Sequence, residues 1–325
     1  MKNKIIYTVV LFALLLTASA MAQSLSGKKI FIEPGHDGYI TNPNVETIPY
    51  ALGNQSGFWE STANLRKGLA LRDMLLNVGA NVQMSRTTTS QTQTLTLSAI
   101  AEMANNFGAN VFVSIHSKAG GEGTSANYPT ILFNGTDAAP TYTESLSLGC
   151  AVWNKLYDNP ITVWSRNSMN VRGDRSYLGY NLGVLVPLTR PGISIEGSIH
   201  DYKPETHRLL SSAYCKMEAY NIFRGICTHF RAGISTKGAI VGWVKDNKKQ
   251  MTDPRYLPFM QGTDDEWTPI NGAKVDLILA CSGTLMQTCT VDNNWNGVFG
   301  FFDVFPGTYY IRLTAPNYFC KRVWH

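Results

Sequence analysis

Apolar positions divide the chain into two textures. Over residues 29–230, short apolar runs alternate with stretches of helical period. Lys29-Ile30-Phe31-Ile32 predicts a buried strand, stopped by Pro34-Gly35. From Ser61 to Val78, the residues Leu65, Leu69, Leu71, Leu75, Leu76 and Val78 recur at helical spacing, and Gly79 closes the helix. Asn81–Met84 predicts a second strand, and Ser98–Phe107 a helix closed by Gly108. Val111–Ile115 and Gly192–Ile195 predict two further buried strands, and Leu209–Phe230 a long amphipathic helix. This alternation implies an α/β fold, with an open, mostly parallel sheet covered by helices.

The texture changes near residue 233. Gly238–Val244, Ala273–Ala280, Met286–Val291, Val298–Val304 and Thr308–Thr314 read as short strands joined by Asn-, Gly- and Pro-bearing turns. That pattern predicts a small all-β sandwich after the α/β part. The polar stretch 245–269 reads as connecting chain. The domain boundaries are therefore a leader over 1–22, an α/β domain over 27–232 and a β domain over 238–325.

The leader has three zones. Lys2 and Lys4 are followed by an apolar run from Ile5 to Leu16, then by Ala18-Ser19-Ala20-Met21-Ala22 with two A-x-A sites. This is the layout of a cleavable secretory signal. The run is short for a span of ~20 residues and has no second basic flank. The expectation is an exported chain, periplasmic or extracellular, with no membrane span in its mature part.

Composition narrows the partners. The 28 Lys+Arg and 23 Asp+Glu residues give +5, too slight and too evenly spread to argue for nucleic acid. Apolar residues make up 44%, enough for a core. None of the six Cys shows a C-x-x-C spacing, which argues against a cysteine zinc site. Cys215 and Cys227 lie on one predicted helix without sharing a face. Cys281 and Cys289 flank a predicted hairpin and could pair across it.

Three predicted strands end in polar residues: Glu33-Pro34-Gly35-His36, Ser114-Ile115-His116 and Ile195-Glu196-Gly197. The carboxyl ends of strands are where open α/β sheets bind ligands. Glu60 opens the first long helix, so its side chain is expected to point back toward that edge. Two imidazoles and a carboxylate suit zinc and leave a fourth position for water. A further carboxylate can then move the water's proton. His36, Glu60 and His116 fill the ligand roles and Glu196 the base role. His200 could line the cleft but reads first as part of a surface turn, His207 and His229 read as structural, and His325 is terminal.

The segments KIFIEPGHDG, WESTANL, VFVSIHS and RPGISIEGS resemble the zinc-dependent N-acetylmuramoyl-L-alanine amidase family, the Amidase_3 type. The likeness covers roughly residues 28–230 and includes Gly79–Arg86 and Ala104-Asn105. It implies zinc held by His36, Glu60 and His116, with Glu196 as catalytic base. It also implies peptidoglycan or its muropeptides as substrate, cut between N-acetylmuramic acid and L-alanine. The chain departs from the family pattern at Asp37, at Lys118 and over Ala99-Ile100-Ala101-Glu102. Residues 269–309 resemble a carboxypeptidase-regulatory-like, transthyretin-type sandwich, read as a structural spacer. Two alternatives differ in kind: a non-catalytic peptidoglycan-binding protein of the same fold, and a zinc peptidase acting on the stem peptide.

Overall fold

The computed structural model of the chain describes residues 24–36, 57–89, 95–121, 123–233, 237–315, 318 and 321–324. The leader, Asp37, Cys320 and His325 lie outside these residues.

The N-terminal unit is built on β1 (Lys29–Pro34), α1 (Glu60–Asn77), β2 (Asn81–Met84), α2 (Leu97–Phe107) and β3 (Val111–Lys118). Then follow β4 (Thr130–Phe133), the hairpin β5 (Gly135–Thr136) and β6 (Ala139–Pro140), α3 (Thr143–Tyr157), β7 (Val171–Gly173) and α4 (Asp174–Leu178). It ends with β8 (Gly192–Ile199), α5 (Lys203–Leu209) and α6 (Ser212–His229). Six strands form one sheet in the order β2-β1-β3-β8-β4-β7. All neighbours in it are parallel except β4 and β8, which run antiparallel. The reading of a mostly parallel sheet holds, with the edge pair β4 and β7 running opposite to the other four strands.

Strand alternation sorts the sheet into two faces. Ile30, Ile32, Val111, Val113, Ile193 and Ile195 pack under the helices α1, α3 and α6 with Leu71, Leu75, Val152 and Ile222. Phe31 and Phe112 point the other way, onto Ile100, Ala101 and Ala104 of α2 and onto Val184, Leu185 and Leu188. By the same alternation Glu33, Ser114, His116 and Glu196 lie on the α2 face, at the carboxyl end of the strands. Three helices cover one face there, and among the described residues α2 and the 182–188 segment approach the other.

The long helix predicted over Leu209–Phe230 is α6, which begins three residues later, at Ser212. Ser211 caps α6, its side chain accepting from the Tyr214 N–H, so the chain turns at Leu210-Ser211 and α5 precedes it. A capping serine here outweighs the apolar periodicity that runs through it.

The C-terminal unit contains β9 (Gly238–Trp243), β10 (Lys245–Gln250), β11 (Trp267–Pro269), β12 (Lys274–Leu279), β13 (Thr284–Thr290), β14 (Val298–Val304), β15 (Tyr309–Thr314) and β16 (Lys321–Trp324). An antiparallel sheet β13-β12-β15-β16 faces the pair β14-β9, and β10 pairs with β11 inside the stretch read as connecting chain. Phe299 and Phe301 point into the core of this unit with Val275, Leu277 and Ile311. On the opposite face of the pair, Val298, Val241, Trp243 and Phe302 pack on Tyr214 and Met217 of α6. The β9–β14 pair thus belongs to two cores. Cys281 and Cys289 are free, which corrects the expected cross-hairpin pairing. Cys289 sits opposite Val275, at the end of β13 far from the turn that holds Cys281.

A buried polar network joins the two units. Arg208 of α5 donates to Asp265 Oδ1 at 2.6 Å and to Glu205 Oε2 at 2.6 Å. Lys245 reaches the same Asp265 carboxylate at 3.1 Å, and the Tyr202 hydroxyl donates to it at 2.9 Å. Two cations face two carboxylates, which is the condition for burying charge without a large penalty.

Candidate metal centre

His36 lies just past β1 with φ 62°, a left-handed conformation that costs about 1 kcal/mol or more in a non-glycine residue. That turn aims its ring back over the sheet edge. Glu60 is the first residue of α1 and only 3% exposed. The helix N-terminus favours its negative charge. His116 follows the continuously buried run Val111–Ile115 of β3. The three ligand atoms all lie within 4.8 Å of one another. Glu60 Oε2 is 2.9 Å from His36 Nε2, and Glu60 Oε1 is 3.3 Å from His116 Nδ1. Ligand atoms about 3.4 Å apart are what a tetrahedral ion with bonds of about 2.0–2.1 Å requires. The donor set therefore fits zinc.

The electrostatics agree. Burial pushes the Glu60 carboxyl up, but hydrogen bonds from His116 and His36 more than reverse this and hold it well below the ordinary range. Burial pushes His116 down, and its bonds to Glu33 and Glu60 carry it well above the usual imidazole range. The cluster thus draws positive charge to its centre. A dication answers the same demand and displaces the protons.

Glu196 stands opposite His116 in register on β8. Its surroundings are protein on most sides, and this loss of water raises its carboxyl pKa, while the charge on His116 offsets part of the rise. A carboxylate tuned upward suits proton transfer near neutrality. A cavity of about 210 Å³ opens beside the cluster. His36, His116, Glu33 and Arg86 form its polar wall, and Leu95, Leu97, Ile100 and Val184 its apolar wall.

All four residues predicted for the site converge at one sheet edge. A model of the Amidase_3 family, described as N-acetylmuramoyl-L-alanine amidase, matches residues 30–228. The chain belongs to that family. The N-acetylmuramoyl-L-alanine amidase CwlM of Bacillus licheniformis is 30% identical over 202 residues, which span 62% of this chain and 68% of that protein. The sporulation-specific N-acetylmuramoyl-L-alanine amidase of Bacillus subtilis is 41% identical over 93 residues, 29% of this chain and 32% of that protein. The crystal structure of the amidase Ami1 from Mycobacterium smegmatis superposes with a TM-score of 0.51 at 19% identity, covering 64% of this chain and 99% of that one. This last likeness concerns the fold. The chain is an amidase of peptidoglycan.

The amidase site is held by residues to which sequence reasoning gave no role. Glu33 is buried in the α2 face, accepts a hydrogen bond from the Ser114 hydroxyl, and places Oε2 3.7 Å from His116 Nε2. Asn64 donates to Glu60 Oε1 at 3.2 Å and to the Gly35 carbonyl at 3.4 Å. Arg86 donates to the carbonyls of Pro34 at 2.9 Å, Gly35 at 3.0 Å and Ser61 at 2.7 Å. It clamps the end of β1 to the first turn of α1. The signal for part of this was present: Glu60, Asn64 and Lys67 are polar at helical spacing on the buried face of α1. Lys67 pairs with Glu218 of α6 at 2.8 Å, and both are buried. Gly197, next to Glu196, makes room for that pair, since a Cβ there would stand 1.9 Å from Glu218 Oε1.

His200 corrects the sequence reading. It is 5% exposed, not on a surface turn, with Nδ1 3.0 Å from both Ser117 Oγ and the Ser117 carbonyl and 3.8 Å from Glu60 Oε2. The β8 strand runs on to Ile199, carrying His200 beneath Glu60 and against Phe58. His207 is buried and bonds Asn294 of the β unit at 2.8 Å, and His229 lies 3.2 Å from Ser147 Oγ, in line with structural roles.

Proposed function

We propose that the chain is a zinc-dependent amidase whose metal is held by His36, Glu60 and His116 and whose general base is Glu196. The substrate bond joins the lactyl carbonyl of N-acetylmuramic acid to the nitrogen of L-alanine. The observation that carries this reading is the N, O, N donor set within 4.8 Å, with Glu196 on the adjoining strand. Bound zinc would supply a Lewis acid for the scissile carbonyl and for the attacking water.

The protein's own residues do the rest. Glu196 accepts a proton from the attacking water and returns it to the departing L-alanine nitrogen. Its raised pKa lets one carboxyl serve both steps. Glu33 faces the ring nitrogen of His116 turned away from Glu60, which orients the ring. Asn64 holds Glu60 from below. We assign export to the leader over 1–22, and a structural role to the β unit, which Asp265 ties to Arg208.

The test is mass spectrometry of muropeptides incubated with residues 23–325, with and without zinc. The expected products are free stem peptides beginning at L-alanine, formed only with metal. Cleavage inside the stem would instead identify a peptidase. Intact muropeptides and intact sacculi from a zinc-loaded chain would identify a binding protein.

A further inference from the structure

Lys118 stands on β3 two positions beyond His116, so both side chains rise from one face of the sheet, about 7 Å apart along the strand. Its Nζ lies 4.7 Å from the ring centre of Tyr177 and 5.3 Å from that of Tyr128. It also donates a hydrogen bond to the Tyr177 hydroxyl. The Arg166 guanidinium lies over the same Tyr128 ring at 5.3 Å.

This group adjoins the reacting centre. Tyr177 lies beside Thr130, Thr130 stands opposite Glu196 in register, and Glu196 stands opposite His116. The nearby Arg172 is neutralised by Asp137 at 2.7 Å. Lys118 and Arg166 have no acidic partner among the described residues; Arg166 bonds Ser168 Oγ at 3.1 Å. Two cations held against aromatic rings without a counter-ion make a receptor for an anion.

We propose that Lys118, Tyr128, Tyr177 and Arg166 form a subsite for a carboxylate of the stem peptide, one or two residues beyond the scissile amide. The carboxylates of the intact substrate lie on its peptide, while its sugars carry neutral hydroxyl and acetamido groups. An extended peptide advances about 3.3–3.6 Å per residue, so the second residue reaches Lys118 when the scissile bond sits at His116 and Glu196. The subsite rests on the reading of those two residues as the reacting centre.

The experiment is isothermal titration of the full chain with two synthetic tripeptides that begin at L-alanine. They differ only in a free carboxylate or a primary amide on the second residue. The acid should bind about ten- to hundredfold more tightly than the amide, the range expected for hydrogen bonds to a charged group. Lys118→Met should bind both peptides alike, Lys118→Arg should keep most of the preference, and Arg166→Gln should reduce it severalfold. Arg166→Gln carries the test if Lys118→Met does not fold. Equal binding of both peptides, binding of neither, or an undiminished preference in both charge-removing variants would overturn the subsite. Binding needs no turnover. A chain that prefers the acid peptide yet cuts no muropeptide refutes the catalytic reading alone. A chain that cuts muropeptides but binds both peptides alike refutes the subsite alone.

Discussion

The ring of His116 occupies the space that a side chain on Gly35 would fill. A Cβ at Gly35 would stand 2.0 Å from His116 Cε1 and 2.1 Å from Nε2. The Gly35 N–H donates to the Ile115 carbonyl at 2.9 Å, so the backbone cannot yield. Gly35→Ala must therefore turn the His116 ring away from Glu60. Zinc affinity is expected to fall by about 10- to 100-fold or more. Competition against a chromophoric chelator measures it, with circular dichroism checking the fold. Wild-type affinity in this variant would remove His116 from the ligand set.

Arg86 joins the two segments that carry His36 and Glu60. Removing its guanidinium takes a donor from the carbonyls of Pro34, Gly35 and Ser61, of which Gly35 keeps the Asn64 amide. Each part-buried carbonyl left unpaired costs on the order of 1 kcal/mol. Arg86→Leu should lower the unfolding free energy by about 2–3 kcal/mol and weaken zinc binding. Arg86→Lys should not restore either, because an ammonium cannot span three acceptors fixed by a planar fork. Urea denaturation of the three proteins decides it, and full rescue by lysine would show that charge alone matters.

Glu196→Gln separates proton transfer from metal binding. The amide keeps the shape and loses the base, so turnover should drop by about 10²- to 10⁴-fold while zinc content stays unchanged. In the wild type, activity should fall as pH drops through the Glu196 pKa, which burial sets above the ordinary carboxylate range. Near-normal turnover by the Gln variant would reassign the base.

The convergence of the four candidate residues was legible because each lies near the carboxyl end of a strand or opens a helix, where local sequence determines geometry. The rest depends on partners distant in the chain. Thr130–Phe133 is four residues long, and nothing local dictates that it runs antiparallel beside β8. His200 looks like a loop histidine until β8 is seen to continue to Ile199. Lys67 and Glu218 lie on separate helices and meet only when α1 packs on α6. Asp265 sits in a stretch that reads as polar connecting chain, yet it is fully buried against Arg208. Polar residues look solvated in sequence, and only tertiary packing reveals which are buried in pairs.

His207 makes stability depend on pH at the junction of the two units. It is buried, its Nδ1–H donates to the Asn294 carbonyl at 2.8 Å, and its ring stacks on Tyr256 at 5.0 Å. Burial pushes its pKa down to about 4. The unfolded chain titrates near the ordinary value of about 6.5, so between these two values the unfolded state binds the extra proton. The contribution is therefore complete above about pH 6.5 and is lost as pH falls toward about 4, amounting to about 3 kcal/mol across that window. His207→Gln keeps a donor for Asn294 and has no such titration. Urea midpoints measured from pH 7.5 to 4 should fall more steeply in the wild type than in the variant, and parallel slopes would mean that His207 titrates alike in the folded and unfolded chains.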